Sequence, residues 1–113
     1  MRFYLMSLGC PKNTVDAEGM AMRLQGAGHR PARSQRDADV LIVNTCGFVA
    51  AARAESLEAL RTLGAGKRRG QILIAAGCLA EREGAHLARR VPEIDGYIGT
   101  RHWSQIVPLV EEA

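Results

Sequence analysis

Two periodicities alternate along the chain. Short β-rich runs, Arg2 to Leu8, Val40 to Val43 and Gln71 to Ala76, are separated by stretches whose apolar residues recur every three or four positions. The first run ends in the turn Gly9-Cys10-Pro11-Lys12, and a helix is predicted to start near Asn13, a good N-cap residue. Ala17, Met20, Ala21 and Leu24 form its apolar stripe, and Gly26 and Gly28 supply its stop. His29 to Arg33 reads as a short edge strand, because Pro31 cannot donate to a ladder.

Val40-Leu41-Ile42-Val43 is an unbroken apolar run of the kind buried on both faces of a parallel sheet. It ends in Asn44-Thr45-Cys46-Gly47. A second helix is expected over Ala50 to Leu63, with Ala50, Ala54, Leu57 and Leu60 on its inner side and Gly64 and Gly66 closing it. The strand Gln71 to Ala76 runs into Gly77-Cys78. A third helix over Ala80 to Arg90 carries Glu81 and Glu83 near its start and Arg89 and Arg90 at its end, as the helix dipole favours. Gly96-Tyr97-Ile98-Gly99 is a minimal fifth strand. Trp103, Ile106, Val107 and Val110 make a last helical stripe, which accommodates Pro108 if Ser104 caps it and the proline falls in the first turn.

Strands alternating with helices predict an α/β fold with a parallel sheet covered on both faces. Five units in this length fit a flavodoxin-like three-layer sandwich with a five-stranded parallel sheet in order 2-1-3-4-5. The 113 residues suit a single domain with a core of its own. That core must be aliphatic, since only Phe3, Tyr4, Phe48, Tyr97 and Trp103 are aromatic. So few aromatics also argue against a base-stacking nucleic-acid platform.

The longest uncharged apolar stretch, Ile72 to Ala80, is far short of the ~20 residues that span a bilayer, and Met1 to Leu8 is too short for a secretory core. A cytoplasmic protein without a membrane partner is therefore expected. The net charge of +3 is mild, and the basic groups Arg30/Arg33/Arg36, Lys67/Arg68/Arg69 and Arg89/Arg90 read first as solvated loop and helix ends.

The chemistry-bearing residues are three cysteines, an odd number that does not suggest a disulfide framework. Cys10, Cys46 and Cys78 each follow a strand and precede a helix, and each is flanked by glycine: Gly9, Gly47 and Gly77. They stand 36 and 32 residues apart, so folding and not a local clip must gather them. In the proposed order their strands are neighbours, and the thiols would converge on the sheet edge where doubly wound folds bind ligands. Helix N-termini there favour negative ligand atoms, to which Lys12 could add. Three thiolates together would need a cation or a metal cluster. Iron–sulfur clusters are held by cysteine thiolates, usually four, so three would leave one iron open. Rival readings are three separate small buried hydrophobes, a nucleophile, or zinc with His29 or His102; neither histidine has a spacing that ties it to the thiols, so each is expected to face solvent. Asn13 and Asn44 lie beside the cysteines and could orient them, against helix capping and turn formation as their ordinary uses. A flavin or phosphate binder is disfavoured because no glycine-rich phosphate loop follows a strand.

Ser7-Leu8-Gly9-Cys10-Pro11-Lys12-Asn13 with Val15-Asp16 and Glu18, Asn44-Thr45-Cys46-Gly47-Phe48 with Glu55-Ser56, and Gly77-Cys78-Leu79-Ala80-Glu81 resemble, in that order, the three motifs of the methylthiotransferase family's N-terminal domain. The resemblance spans essentially the whole chain. It implies that Cys10, Cys46 and Cys78 hold an auxiliary [4Fe–4S] cluster, whose open iron carries or activates the sulfur inserted with a methyl group at a C–H bond. It further implies a radical S-adenosylmethionine domain with its own [4Fe–4S] cluster, and a small C-terminal β-barrel domain. No C-x-x-x-C-x-x-C occurs within these residues, so 1–113 is expected to be the auxiliary-cluster domain alone, without turnover by itself and partnered by the radical domain. Cys10-Pro11-Lys12-Asn13 and Cys46-Gly47-Phe48 look more like the type that modifies an aspartate of a small-subunit ribosomal protein than the tRNA-modifying type, for which RNA would be a partner. A metal-free substrate-docking module is the alternative from another functional class.

Overall fold

The computed structural model describes residues 1–8, 11–46 and 50–112, with the side chains of 11–13 and 100–101 outside the description. Its elements are β1 (Arg2–Ser7), α1 (Pro11–Gly26), β2 (Arg30–Pro31), β3 (Val40–Thr45), α2 (Ala50–Ala65), β4 (Ile72–Gly77), α3 (Cys78–Arg90), β5 (Gly96–Gly99) and α4 (Ile106–Glu112). The five strands form one parallel sheet in the order β2-β1-β3-β4-β5, as the alternation of periods predicts.

β3 is the sheet's centre, and Val40, Leu41, Ile42 and Val43 are all essentially inaccessible. Successive side chains of a strand point to opposite faces, so this run feeds two cores. Leu41 and Val43 join Leu60, Leu63, Leu73, Leu79 and Leu87 on the α2/α3 side. Val40 and Ile42 join Met20, Leu24, Ile74, Ile106 and Val110 on the α1/α4 side.

Several boundaries differ from the sequence expectation. α1 begins at Pro11, whose fixed φ suits the first helical position, so Asn13 lies inside the helix and is not its N-cap. β3 continues through Asn44 and Thr45, so Asn44 is a strand residue and forms no turn. α3 opens at Cys78, two residues early, with Gly77 as its N-cap, and is kinked at Glu83, whose φ of −136° is not helical. Pro108 does fall in the first turn of α4, but Ser104 belongs to a 3-10 turn (Thr100–Gln105) that leads into the helix and caps nothing.

The inner face of α2 is also rotated from expectation. Ala50 and Ala54 are exposed, and the buried residues are Ser56, Leu60, Leu63 and Gly64. A serine thus occupies the first position of a buried stripe.

Candidate metal centre

The parallel register aligns the carboxyl ends of the strands. Ser7 of β1 lies opposite Asn44 of β3, and Asn44 opposite Ala76 of β4. One rung further, Thr45 pairs with Gly77, so Cys46 and Cys78 are the next residues after two adjoining strands. Neighbouring strands lie ~4.8 Å apart, so their carboxyl ends form one local edge. The chain leaves β1 from the same edge, where the Leu8 N–H donates to the Asn44 carbonyl at 3.1 Å. Cys10, three residues beyond Ser7, lies outside the described residues, as do Gly9 and Gly47.

Cys46 is 3% exposed. Its N–H donates to Ser56 Oγ at 2.9 Å, and the same hydroxyl donates to the Cys46 carbonyl at 3.0 Å. Cys78 is half-buried at the start of α3. Its turn is tied to β3 by Thr45, whose Oγ1 donates to the Ala76 carbonyl at 2.5 Å and accepts the Ala80 N–H at 3.3 Å.

Gly77 adopts φ 94°, ψ −161°, a conformation that is essentially glycine's alone. A β-carbon there would also stand 2.6 Å from both Asn44 Oδ1 and the Thr45 carbonyl oxygen. The glycine therefore serves close backbone approach at the thiol edge, as its place beside a cysteine suggested.

Two cysteines that follow adjoining strand ends bring to this edge residues of the soft-donor type that zinc and iron–sulfur clusters take. Among the described residues no group of three His, Cys, Asp or Glu is gathered as a metal site, Cys10 not being among them.

Of the candidate orienting residues, Asn44 is fully buried within β3, and its parity with Val40 and Ile42 assigns it to the α1/α4 face. The Asn13 side chain lies outside the described set. Glu55 is exposed.

His29 corrects an expectation. It is buried, with Nδ1 3.1 Å from the Met1 amine and Nε2 3.1 Å from Glu111 Oε2. It precedes β2, whose Arg30 pairs with Arg2, and so sits at the amino-terminal edge of the sheet, opposite the thiols. That position excludes it as a partner of Cys46 and Cys78. His102 is exposed in the 3-10 turn after β5. It lines an open cleft with Ala80, Glu81 and Gly99 beside the first turn of α3.

Of the basic groups, Lys67 and Arg68 depart from the solvated-end expectation and are tied into the structure. Lys67 Nζ pairs with Asp95 Oδ2 at 2.6 Å, and the Arg68 guanidinium donates to the carbonyls of Arg36 and Ala38. A cleft lined by Gln35, Arg36, Leu41, Thr62 and Arg68 lies at this amino-terminal edge, remote from the cysteines.

Ser56 is the residue that sequence reasoning noted in a motif without giving it work. The signal was present: a serine four and seven residues ahead of Leu60 and Leu63 interrupts a buried stripe, and a buried hydroxyl needs partners.

No described helix is long and apolar enough to cross a membrane. Residues 2–99 match the family described as Uncharacterized protein family UPF0004. The chain is 49% identical over 111 residues, 98% of its length, to the protein named Ribosomal protein uS12 methylthiotransferase RimO from Roseiflexus sp. (strain RS-1). It is 50% identical over 110 residues to the protein of that name from Chloroflexus aurantiacus, and 43% identical over 114 residues to that from Anaeromyxobacter sp. (strain Fw109-5). These matches cover 97% and 99% of this chain respectively. The chain spans about a quarter of the length of these relatives, 23–24%.

Proposed function

This chain belongs to the uncharacterized protein family UPF0004, and from that premise we propose that it is the auxiliary [4Fe–4S] domain of a methylthiotransferase acting on ribosomal protein uS12. Cys10, Cys46 and Cys78 are its cluster ligands. The observation that carries this reading is the Thr45–Gly77 register, which makes Cys46 and Cys78 consecutive at one edge, together with the Ser7–Asn44 rung that ends β1 beside them.

The chemistry of the donor set supports it. Thiolates are soft ligands that favour iron–sulfur clusters, and three of them leave one iron without a protein ligand. A cluster held this way supplies sulfur-handling chemistry at that iron. The chain's own contribution is positional. The first turn of α3, which Cys78 opens, places the positive end of the helix dipole at this edge, where negative ligand atoms are favoured. Gly77 lets the backbone pass without a side chain, and the buried β3 end keeps water from Cys46. Asn13 and Asn44 are the residues we assign to orienting the ligand loops.

The substrate is the aspartate-bearing small-subunit protein and not tRNA; the names of the relatives support that choice, as does the Pro11-Lys12-Asn13 run after Cys10. The radical S-adenosylmethionine chemistry, with its second cluster, belongs to a partner domain, and this chain alone should show no methylthiotransferase turnover.

Anaerobic reconstitution with ferrous iron and sulfide tests the reading. About four irons and four sulfides per chain are expected, with loss of the cluster in Cys10→Ala, Cys46→Ala and Cys78→Ala. Full cluster content in Cys46→Ala would overturn it.

A further inference from the structure

We propose that Ser56 and Thr45 are positioning residues that hold the two thiol-bearing turns in place before any metal arrives; the assignment rests on the cluster reading above. The β3 ladder stops at the Thr45–Gly77 pair, so Cys46 is the first residue without a rung. Its N–H and carbonyl are nonetheless buried, and a buried backbone group left unpaired is costly. The Ser56 hydroxyl meets both needs, accepting the N–H at 2.9 Å and donating to the carbonyl at 3.0 Å. One hydroxyl supplies one acceptor and one donor, the same complement that a neighbouring strand residue would offer.

Ser56 is itself fully buried and shares its helical face with Leu60 and Leu63, which pack into the α2/α3 core. The position of its Oγ is therefore set by helix packing. Cys46 inherits that rigidity across the ten-residue span that separates the two.

Thr45 performs the matching service for Cys78. Its hydroxyl donates to Ala76 in β4 and accepts from Ala80 in the first turn of α3, clasping from both sides the turn that Cys78 opens. A helix face and a strand end that needed only packing would be apolar here. Two buried hydroxyls, one bonded to the backbone of Cys46 and one to residues on either side of Cys78, indicate preorganisation of the ligand loops.

Alkylation of the metal-free chain with iodoacetamide, resolved for each cysteine by mass spectrometry, tests this without a cluster. Ser56→Ala should accelerate modification of Cys46 by about tenfold, the scale of one to two buried hydrogen bonds, and leave Cys78 unchanged. Thr45→Val should accelerate Cys78, and Thr45→Ser should restore the original rate. After reconstitution, Ser56→Ala and Thr45→Val should release iron to a chelator faster than the unsubstituted chain.

Gln71→Ala is the control. Gln71 bridges the carbonyls of Gln35 and Ala38 at the far edge, so its loss should lower the melting temperature with no cysteine-specific effect. Equal Cys46 alkylation and equal iron retention in Ser56→Ala would overturn the assignment, as would parallel acceleration at both cysteines, which marks a merely structural role. Absence of a cluster in the unsubstituted chain would instead overturn the cluster reading, and with it the purpose assigned to the two hydroxyls.

Discussion

A β-carbon on Gly77 would lie 2.6 Å from Asn44 Oδ1, closer than real side chains approach. They lie diagonally across the β3–β4 pair, Gly77 opposite Thr45 and Asn44 one rung earlier, and neither Asn44 nor Thr45 has room to move, since both are fully buried. Gly77→Ala combines that clash with a positive φ that alanine tolerates poorly. It should cost at least ~2 kcal/mol in denaturant unfolding and abolish cluster reconstitution in the fraction that still folds. Gly70 also has positive φ but no atom within 4 Å of a built β-carbon, so Gly70→Ala should be milder and leave the cluster intact.

A second close approach lies away from the thiols. A β-carbon on Gly19 would stand 2.6 Å from Trp103 Cη2, so the indole seats on α1 only because position 19 is bare. The ring also receives the Arg23 guanidinium at 5.2 Å from its centroid. Gly19→Ala should displace the indole and shift the emission of the chain's only tryptophan to longer wavelength, with about 1–3 kcal/mol of destabilisation.

Asp95 substitutes for a strand residue before β5 begins. Its carboxylate accepts the Leu73 N–H at 2.8 Å, while its own N–H donates to the Leu73 carbonyl at 2.8 Å. Lys67 completes the carboxylate's partners. Asp95→Ala should cost about 1–3 kcal/mol in thermal or denaturant unfolding, because it strands a buried N–H. Lys67→Ala should cost less than about 1 kcal/mol, since its pair with Asp95 is partly solvated.

His29 separates stability from ligation. Its ring joins the Met1 amine to Glu111 at the edge opposite the cysteines. His29→Ala should lower stability by about 1 kcal/mol yet leave iron content after reconstitution unchanged. Lost iron in that variant would revive a histidine ligand.

Much of the architecture was legible in local pattern. The four-residue apolar run of β3, the stripe Ala17–Met20–Leu24 and the single-donor deficit at Pro31 each act within a few residues, where period and steric rule suffice. The errors fell where neighbours in space decide. α2 turned its Ser56–Leu60–Leu63 face inward and left Ala50 and Ala54 outside, because the larger leucines bury more area against β3 and β4. Two alanines at helical spacing carried too little of that area to set the rotation. His29 was expected in solvent, having no apolar periodicity of its own; a carboxylate 82 residues away and the chain's amine drew it in.

Residue order alone thus determined which segments are strands and helices, how they layer, and that each cysteine follows a strand, since those properties depend on steric preference and spacing along the backbone. Whether strand ends are level with one another, and which hydroxyl takes up the bonds left over where a ladder stops, depends on pairing register and helix rotation. These are set by contacts between distant segments, so only the folded chain decided that Cys46 and Cys78 share a rung's end and that Ser56 reaches the first of them.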